Sequence, residues 1–332
     1  MGNSRREEKT KNARGQSWAG VNRWAAGNSG ESVRIYRGFR VSDLTFFREK
    51  ARVLAYFVHR FSPFVFEFRE GVGLRWYGVS YVLAFLLGYR LYRWLAERGY
   101  SDMPPAQVGD FITWAAVFGV MLGGRIGWVI FYGWSQVVAN PLTFFKVWEG
   151  GMASHGGILG LVAFTFYWSR RYKLSWTGIG DSLCVVAPIG LFLVRCANFI
   201  NGELYGKPSD VPWAVIFPAE PDGPRHPSQL YEAGLEGVVL FTVLWILRTR
   251  MRVPRGVITG AFFILYAALR IVGEVFREPD PAWAVGHLSA GQFLSLFLFA
   301  IGAAFIAWGW RTQQYERALT LTPDAKAGNA VA

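Results

Sequence analysis

The stretch FLVRCANFINGELYG, residues 192–206, begins as an apolar helix and ends with Arg195, Asn198, Asn201 and Glu203, with Gly202 and Gly206 interleaved. An ionisable side chain in a run apolar enough for lipid is costly and is read first as functional. Arg125, His155, Glu236, Arg270 and Glu274 stand in other apolar runs, with Tyr77 and Tyr266 as polar companions. Arginine's planar fork suits a phosphate, and an imidazole titrates near neutrality, where it can take a proton. Tyr266, Arg270, Glu274 and Arg277 follow one another at spacings of four, four and three, which is one helical face. One reading of that face is an intrahelical Arg270–Glu274 ion pair, since buried ions are normally paired. It leaves Arg195 with Glu203 as its only evident acidic neighbour. The excess of intramembrane arginine over carboxylate then favours an anionic guest.

These residues need helices to carry them. The chain has 332 residues, 52% hydrophobic and only 17% charged, with 15 Trp and 27 Phe. A soluble protein would be about a quarter charged. The pattern predicts an all-α polytopic membrane protein with seven spans, near 74–95, 110–134, 150–169, 181–200, 233–248, 256–276 and 288–310. Arg90, Arg93 and Arg98 follow the first span, Arg170, Arg171 and Lys173 the third, and Arg248, Arg250, Arg252 and Arg255 the fifth. Arg311 and Arg317 follow the last. By the positive-inside rule the N-terminus lies outside and the C-terminus in the cytoplasm. Tyr77, His155 and Glu236 then open outward-starting spans, while Arg125, Arg195 and Arg270 lie in the outer halves of returning ones. The polar groups converge on one leaflet, and the inner halves read as apolar.

Residues 1–60 form a basic tail whose Gly, Asn and Ser content in 1–32 predicts disorder. Residues 1–70 carry 14 Lys and Arg, against the orientation, but long segments translocate largely regardless of charge. VLAYFVHRFSPFVFEF (53–68) is too short to span and reads as an interfacial segment. The transmembrane domain runs from 61 to 312, and 313–332 is a cytoplasmic tail. No cleavable signal peptide is expected, because the first apolar stretch comes late. The net charge of +12 is explained by basic residues beside spans and does not call for nucleic acid.

Several residues have structural alternatives. His155 opens MASHGGILG, where Gly156 and Gly157 admit either a lipid head group or a neighbouring backbone; the imidazole could equally bond across helices. Gly119, Gly123 and Gly127 recur at four-residue spacing, a close-packing face, and Arg125 beside them could be structural. His226 belongs to a His-Pro turn at the re-entry to the fifth span. Cys184 and Cys196 are poor disulfide or metal candidates, and no ligand cluster calls for a metal or other cofactor. A channel or carrier would need polar groups through the whole depth. A cytidine-nucleotide-dependent phosphatidyltransferase would want an aspartate-rich metal motif near the cytoplasm. Neither pattern is present.

RCANFINGELYG closely resembles the signature of bacterial phosphatidylglycerol–prolipoprotein diacylglyceryl transferases. So do RWYG (75–78), GGRIG (123–127), SHGG (154–157), RHPSQLYE (225–232) and FREPD (276–280), all in the family's order. The resemblance covers roughly 61–312; Val194 departs from it, standing where the family usually has glycine. It implies a multi-pass enzyme of the bacterial inner membrane acting on the outer leaflet. That enzyme transfers sn-1,2-diacylglyceryl from phosphatidylglycerol to the lipobox cysteine of a prolipoprotein, the first step of lipoprotein maturation. A thiol near pKa 8.5 needs a base or a positive field. His155 is either that base or a phosphate ligand, with the arginines then lowering the thiol's pKa. Arg195 and Arg270 stabilise the leaving phosphate. Asn198, Asn201 and Glu203 position the head group or anchor those arginines, and Tyr77 and Tyr266 bond the phosphate or glycerol. Gly156, Gly157, Arg125, His226, Glu274 and Arg277 complete the expected binding set.

Overall fold

The computed structural model describes residues 56–147, 150–220, 222–278 and 290–315. These belong to one compact unit beginning at Ala55. Among the described residues it contains seven long helices: α1 (Trp76–Glu97), α2 (Pro105–Ala139), α3 (Ser154–Tyr172), α4 (Trp176–Asn201), α5 (Ser228–Arg250), α6 (Val257–Phe276) and α7 (Ala290–Thr312). They coincide with the seven expected apolar runs and extend most of them by a few residues. α2, α4, α5, α6 and, from Gln292, α7 are long and apolar enough to cross a membrane. α1 carries Arg90, Arg93 and Glu97 near its end, and α3 ends on Arg170 and Arg171.

The chain is mostly helical, not all-α. Phe57–Val58 (β1) pairs in parallel with Val215–Ile216 (β4), which pairs antiparallel with Pro224–Arg225 (β5). Phe64–Arg69 (β2) and Val72–Arg75 (β3) form a hairpin that leads into α1. The segment expected to lie flat at the interface therefore contains strands. Its FVFEFR alternation fits a pleat, and Gly71 supplies the positive φ (76°) that the tight turn requires. The sheet also moves the expected tail boundary. Tyr56–His59 pack on the 210–217 segment, so the folded unit starts before residue 60. The rest of the expected tail, and the C-terminal tail from 316, lie outside the described residues.

Cross-helix contacts set the arrangement. Asn198 meets Tyr77, Arg195 meets Glu236 and Arg277 meets Glu232, so the starts of α1 and α5 share one end of the bundle with the ends of α4 and α6. α2 runs antiparallel to α3, with Gly127 against Gly156 and Gly119 against Gly160. α2 and α3 meet through glycine: a Cβ on Gly156 would lie 2.4 Å from the Gly123 carbonyl oxygen, so that pair admits no side chain. α2 is π-helical over Ala115–Met121 and Val129–Gly133. At the opposite end, Asp181 of α4 is fully buried. It accepts from the Gly256 and Thr259 amides (2.7 and 2.8 Å) and the Thr259 hydroxyl (2.7 Å), capping α6. That end is therefore less apolar than the sequence reading allowed, but this carboxylate is spent on a helix cap.

Candidate active site

The shared end holds two linked polar groups. In the first, Glu232 and Glu236 of α5, one helical turn apart and each with no exposed side-chain surface, face three arginines. Arg195 of α4 lies 2.9 Å from Glu232 and 3.0 Å from Glu236. Arg270 of α6 lies 2.8 Å from Glu232, 3.3 Å from Glu236 and 3.0 Å from Glu274. Arg277, just past α6, lies 3.3 Å from Glu232. The expected Arg270–Glu274 pair is present, but it is one contact of a network.

Two sequence expectations change here. Arg195 pairs with Glu232 and Glu236 and not with Glu203. The expected cationic excess also vanishes, because three arginines face three glutamates. Glu232 lies one residue before the apolar run expected from 233, in the first turns of α5, and so escapes a reading by apolar runs. The available signal was the four-residue spacing Glu232–Glu236, which puts both carboxylates on one helical face.

The second group forms where α4 stops. Gly202 takes φ 67°, and its amide donates to the Phe199 carbonyl (2.9 Å) while the Glu203 amide donates to that of Asn198 (3.2 Å). The chain turns back and brings Glu203 over the helix end. Its Oε1 accepts from the Tyr77 hydroxyl, from Asn198 (3.0 Å) and from Asn201 (3.5 Å). The Asn198 carboxamide also donates to Tyr77. Gln229 holds the Glu203 carbonyl oxygen at 2.6 Å and Ser228 holds that of Leu204 at 3.1 Å, so the start of α5 clamps the loop. Gln229 and Ser228 are positioning residues the sequence reading passed over.

Tyr266 precedes Arg270 by one turn on α6 and stacks on Phe262 with centroids 5.9 Å apart. Around the loop, Arg225 donates to the Gly206 carbonyl (3.2 Å) and to Glu278 (2.8 Å), closing 206–225 against the end of α6. His226 meets the Tyr231 hydroxyl at 3.1 Å and packs on Phe276. Burial and, secondarily, the Lys207 charge lower its pKa from the usual 6.5.

The remaining expected residues lie apart. Arg125 donates to the carbonyls of Phe144 (2.8 Å), Gly150 (2.6 Å), Gly151 (2.8 Å), Lys146 (3.4 Å) and Thr143, and stacks over Trp128. It is a staple for the α2–α3 loop rather than a head-group ligand. Gly156 and Gly157 are buried against α2, where close helix approach takes the space expected for a head group. His155 is exposed on the first turn of α3, bonded to neither polar group. Among the described residues no His, Cys, Asp and Glu group forms a metal-binding set.

Residues 63–308 match the family described as prolipoprotein diacylglyceryl transferase. Among curated proteins, the chain is 46% identical over 231 residues to the phosphatidylglycerol–prolipoprotein diacylglyceryl transferase of Nitratidesulfovibrio vulgaris, covering 69% of this chain and 86% of that one. The enzyme of the same name from Coxiella burnetii is 41% identical over 251 residues (74% and 95%). That of Solidesulfovibrio magneticus is 42% identical over 257 residues (76% and 96%).

Proposed function

We propose, since this chain belongs to the prolipoprotein diacylglyceryl transferase family, that it moves the sn-1,2-diacylglyceryl group of phosphatidylglycerol onto the lipobox cysteine of a prolipoprotein. A thiolate attacks the glyceryl CH2 that carries the phosphate. The S–C bond forms as the C–O bond to phosphorus breaks, and glycerol phosphate leaves with the bonding pair. The observation that carries this reading is the cluster of Arg195 and Arg270 on Glu232 and Glu236, with the Tyr77–Asn198–Glu203 group beside it. Buried guanidinium groups held at fixed positions are what a developing phosphate charge requires.

In this reaction Arg195 and Arg270 receive the leaving phosphate. Tyr77, Asn198, Asn201 and Glu203 orient the glycerol and its hydroxyls, Arg277 holds Glu232 in place, and Tyr266 lines the inner side. Oε1 of Glu203 is already committed to three donors. The role of base for the thiol proton is assigned to His155, exposed at the start of α3 where an entering peptide can reach it. The seven helices are seven spans of the bacterial inner membrane, with the site facing the outer leaflet, the N-terminus outside and the C-terminus cytoplasmic. Alternating arginine clusters support that orientation. A lipid-binding or lipid-moving protein without chemistry would not need three arginines interlocked with three glutamates at one end. The test is to incubate purified protein with phosphatidylglycerol and a lipobox peptide. A peptide mass raised by one diacylglyceryl group is expected, and no adduct with folded protein would overturn the reading.

A further inference from the structure

Near the start of the described residues lies a histidine that the reaction above does not use. His59 lies in the chain leading from β1 to the hairpin and is 5% exposed. Its amide donates to the Ile216 carbonyl (2.9 Å), continuing the β1–β4 pairing. Its ring is enclosed by Phe61, Phe199 and Phe217, with centroids 5.3, 5.5 and 5.3 Å away. Nε2 lies 2.7 Å from the carbonyl oxygen of Phe199. A carbonyl only accepts, so Nε2 carries the proton and donates.

The place of that bond gives it a role. The last carbonyls of a helix have no intrahelical partner. Phe199 lies in the final turn of α4, between Asn198 and Asn201 and four residues before Glu203. Its oxygen accepts both the Gly202 amide that closes the turn and the His59 imidazole. The same ring rests on Gly202: a Cβ there would lie 3.1 Å from Cε1 and 3.3 Å from Nδ1. His59 therefore touches the turn at both its carbonyl and its left-handed glycine. Packing alone would be met by any apolar side chain of similar size, but the buried donor adds a direction.

Resting on the proposed transferase reading, we infer that His59 is a positioning residue: its Nε2–H fixes the final turn of α4, and through that turn the placement of Asn198, Asn201 and Glu203. The residue lies within the segment, 1–60, that the sequence assigned to a basic tail outside the transmembrane domain. The inference changes that assignment, since truncation at Phe61 removes the donor while leaving every helix intact.

The test compares His59→Leu, which fills the ring's space without a donor, with His59→Gln, whose amide nitrogen reaches about as far as Nε2. Turnover on phosphatidylglycerol and a lipobox peptide is measured alongside amide exchange over residues 199–206 and over α6. The leucine variant is expected to lose on the order of tenfold to a hundredfold in turnover, the cost of a small misplacement at a reacting centre. Its exchange should rise in 199–206 and stay unchanged in α6. The glutamine variant should remain within about threefold of wild type, because it keeps the hydrogen bond that the leucine variant loses. Wild-type turnover and exchange in the leucine variant would overturn the inference. So would a loss shared equally by both variants, or exchange raised alike in α4 and α6, which marks general destabilisation. If wild type forms no adduct, the transferase reading fails, and the local exchange contrast still decides whether His59 holds the turn.

Discussion

Replacing Arg270 with glutamine, alone and together with Glu274→Gln, separates a counter-ion from a group that serves the phosphate. Arg270 meets Glu232 at 2.8 Å, Glu236 at 3.3 Å and Glu274 at 3.0 Å. With charge centres about 4 Å apart and an effective dielectric of about 20, each pair is worth roughly 4 kcal/mol before desolvation. Desolvation cancels most of that, and removing one partner of a buried pair nets about 3–5 kcal/mol of destabilisation. The single variant leaves Arg195 and Arg277 facing three carboxylates; adding Glu274→Gln restores two against two. The thermal midpoint in detergent should therefore fall in Arg270→Gln and recover substantially in the double variant. Turnover behaves differently if Arg270 receives the leaving phosphate. Loss of one electrostatic donor costs about 3 kcal/mol, or roughly a hundredfold or more in rate, and neutralising Glu274 does not supply it. Both variants should stay down by that factor, with Arg270→Lys intermediate because it returns charge without the planar fork. Turnover that recovers with the midpoint in the double variant would refute the catalytic role and leave Arg270 as a counter-ion.

Other outcomes follow from single contacts. Because the pKa of His226 is lowered on folding, the unfolded chain binds the extra proton first as pH drops. Its contribution to stability is complete above the ordinary value of 6.5 and declines below it. Midpoints measured from pH 8 to 5 should show an acid loss that is smaller in His226→Gln. Arg125→Lys supplies three donors where the loop presents five carbonyls, so folded yield should fall while turnover per folded molecule stays within about threefold. For orientation, single cysteines at Pro208 and Thr249, in a background lacking Cys184 and Cys196, should react oppositely with an impermeant thiol reagent on spheroplasts. Pro208 should label and Thr249 should not; equal labelling contradicts the outward-facing site.

The helices were legible because lipid demands long apolar runs and each run ends in a charge or a turn signal. Glycine at 202 announced the stop of α4, and the Tyr266–Arg270–Glu274–Arg277 spacing announced a polar face. What a single run cannot carry is the partner across helices. Arg195 and Glu203 are eight residues apart and look like a pair, yet the helix end turns Glu203 toward Tyr77 and leaves Arg195 facing α5. Arg125 looked like its neighbours in type and depth. Its fate depended on five carbonyls in a loop whose path no residue pattern specifies. Asp181 was treated as the edge of a span because capping a distant helix leaves no local signature. The 56–75 strands were hidden for a related reason: an alternating run that is exposed on both faces reads as neither a strand nor a span.

The neutral balance of the cluster bears on the proposed chemistry. A surplus of arginine would hold a stationary anion firmly, and the product of this reaction is itself an anion that must leave. Here Glu232 and Glu236 take the buried side of both guanidinium groups. Arg195 donates from Nε and Nη2 to Glu236 and forms an ion pair with Glu232 through Nη1. Arg270 spends both hydrogens of Nη1 on Glu232 and Glu236 and forms an ion pair with Glu274 through Nη2. A guanidinium has five N–H donors, so about three remain on each outside the hydrogen bonds to the carboxylates, on side chains that are still 13% exposed. The carboxylates thus fix the orientation of the forks in advance and offset their resting charge. The unspent donors meet charge as it develops on the departing oxygen, where preorganisation acts on the transition state more than on either ground state. On this account Glu232, at 2.9, 2.8 and 3.3 Å from Arg195, Arg270 and Arg277, governs the rate without touching the lipid.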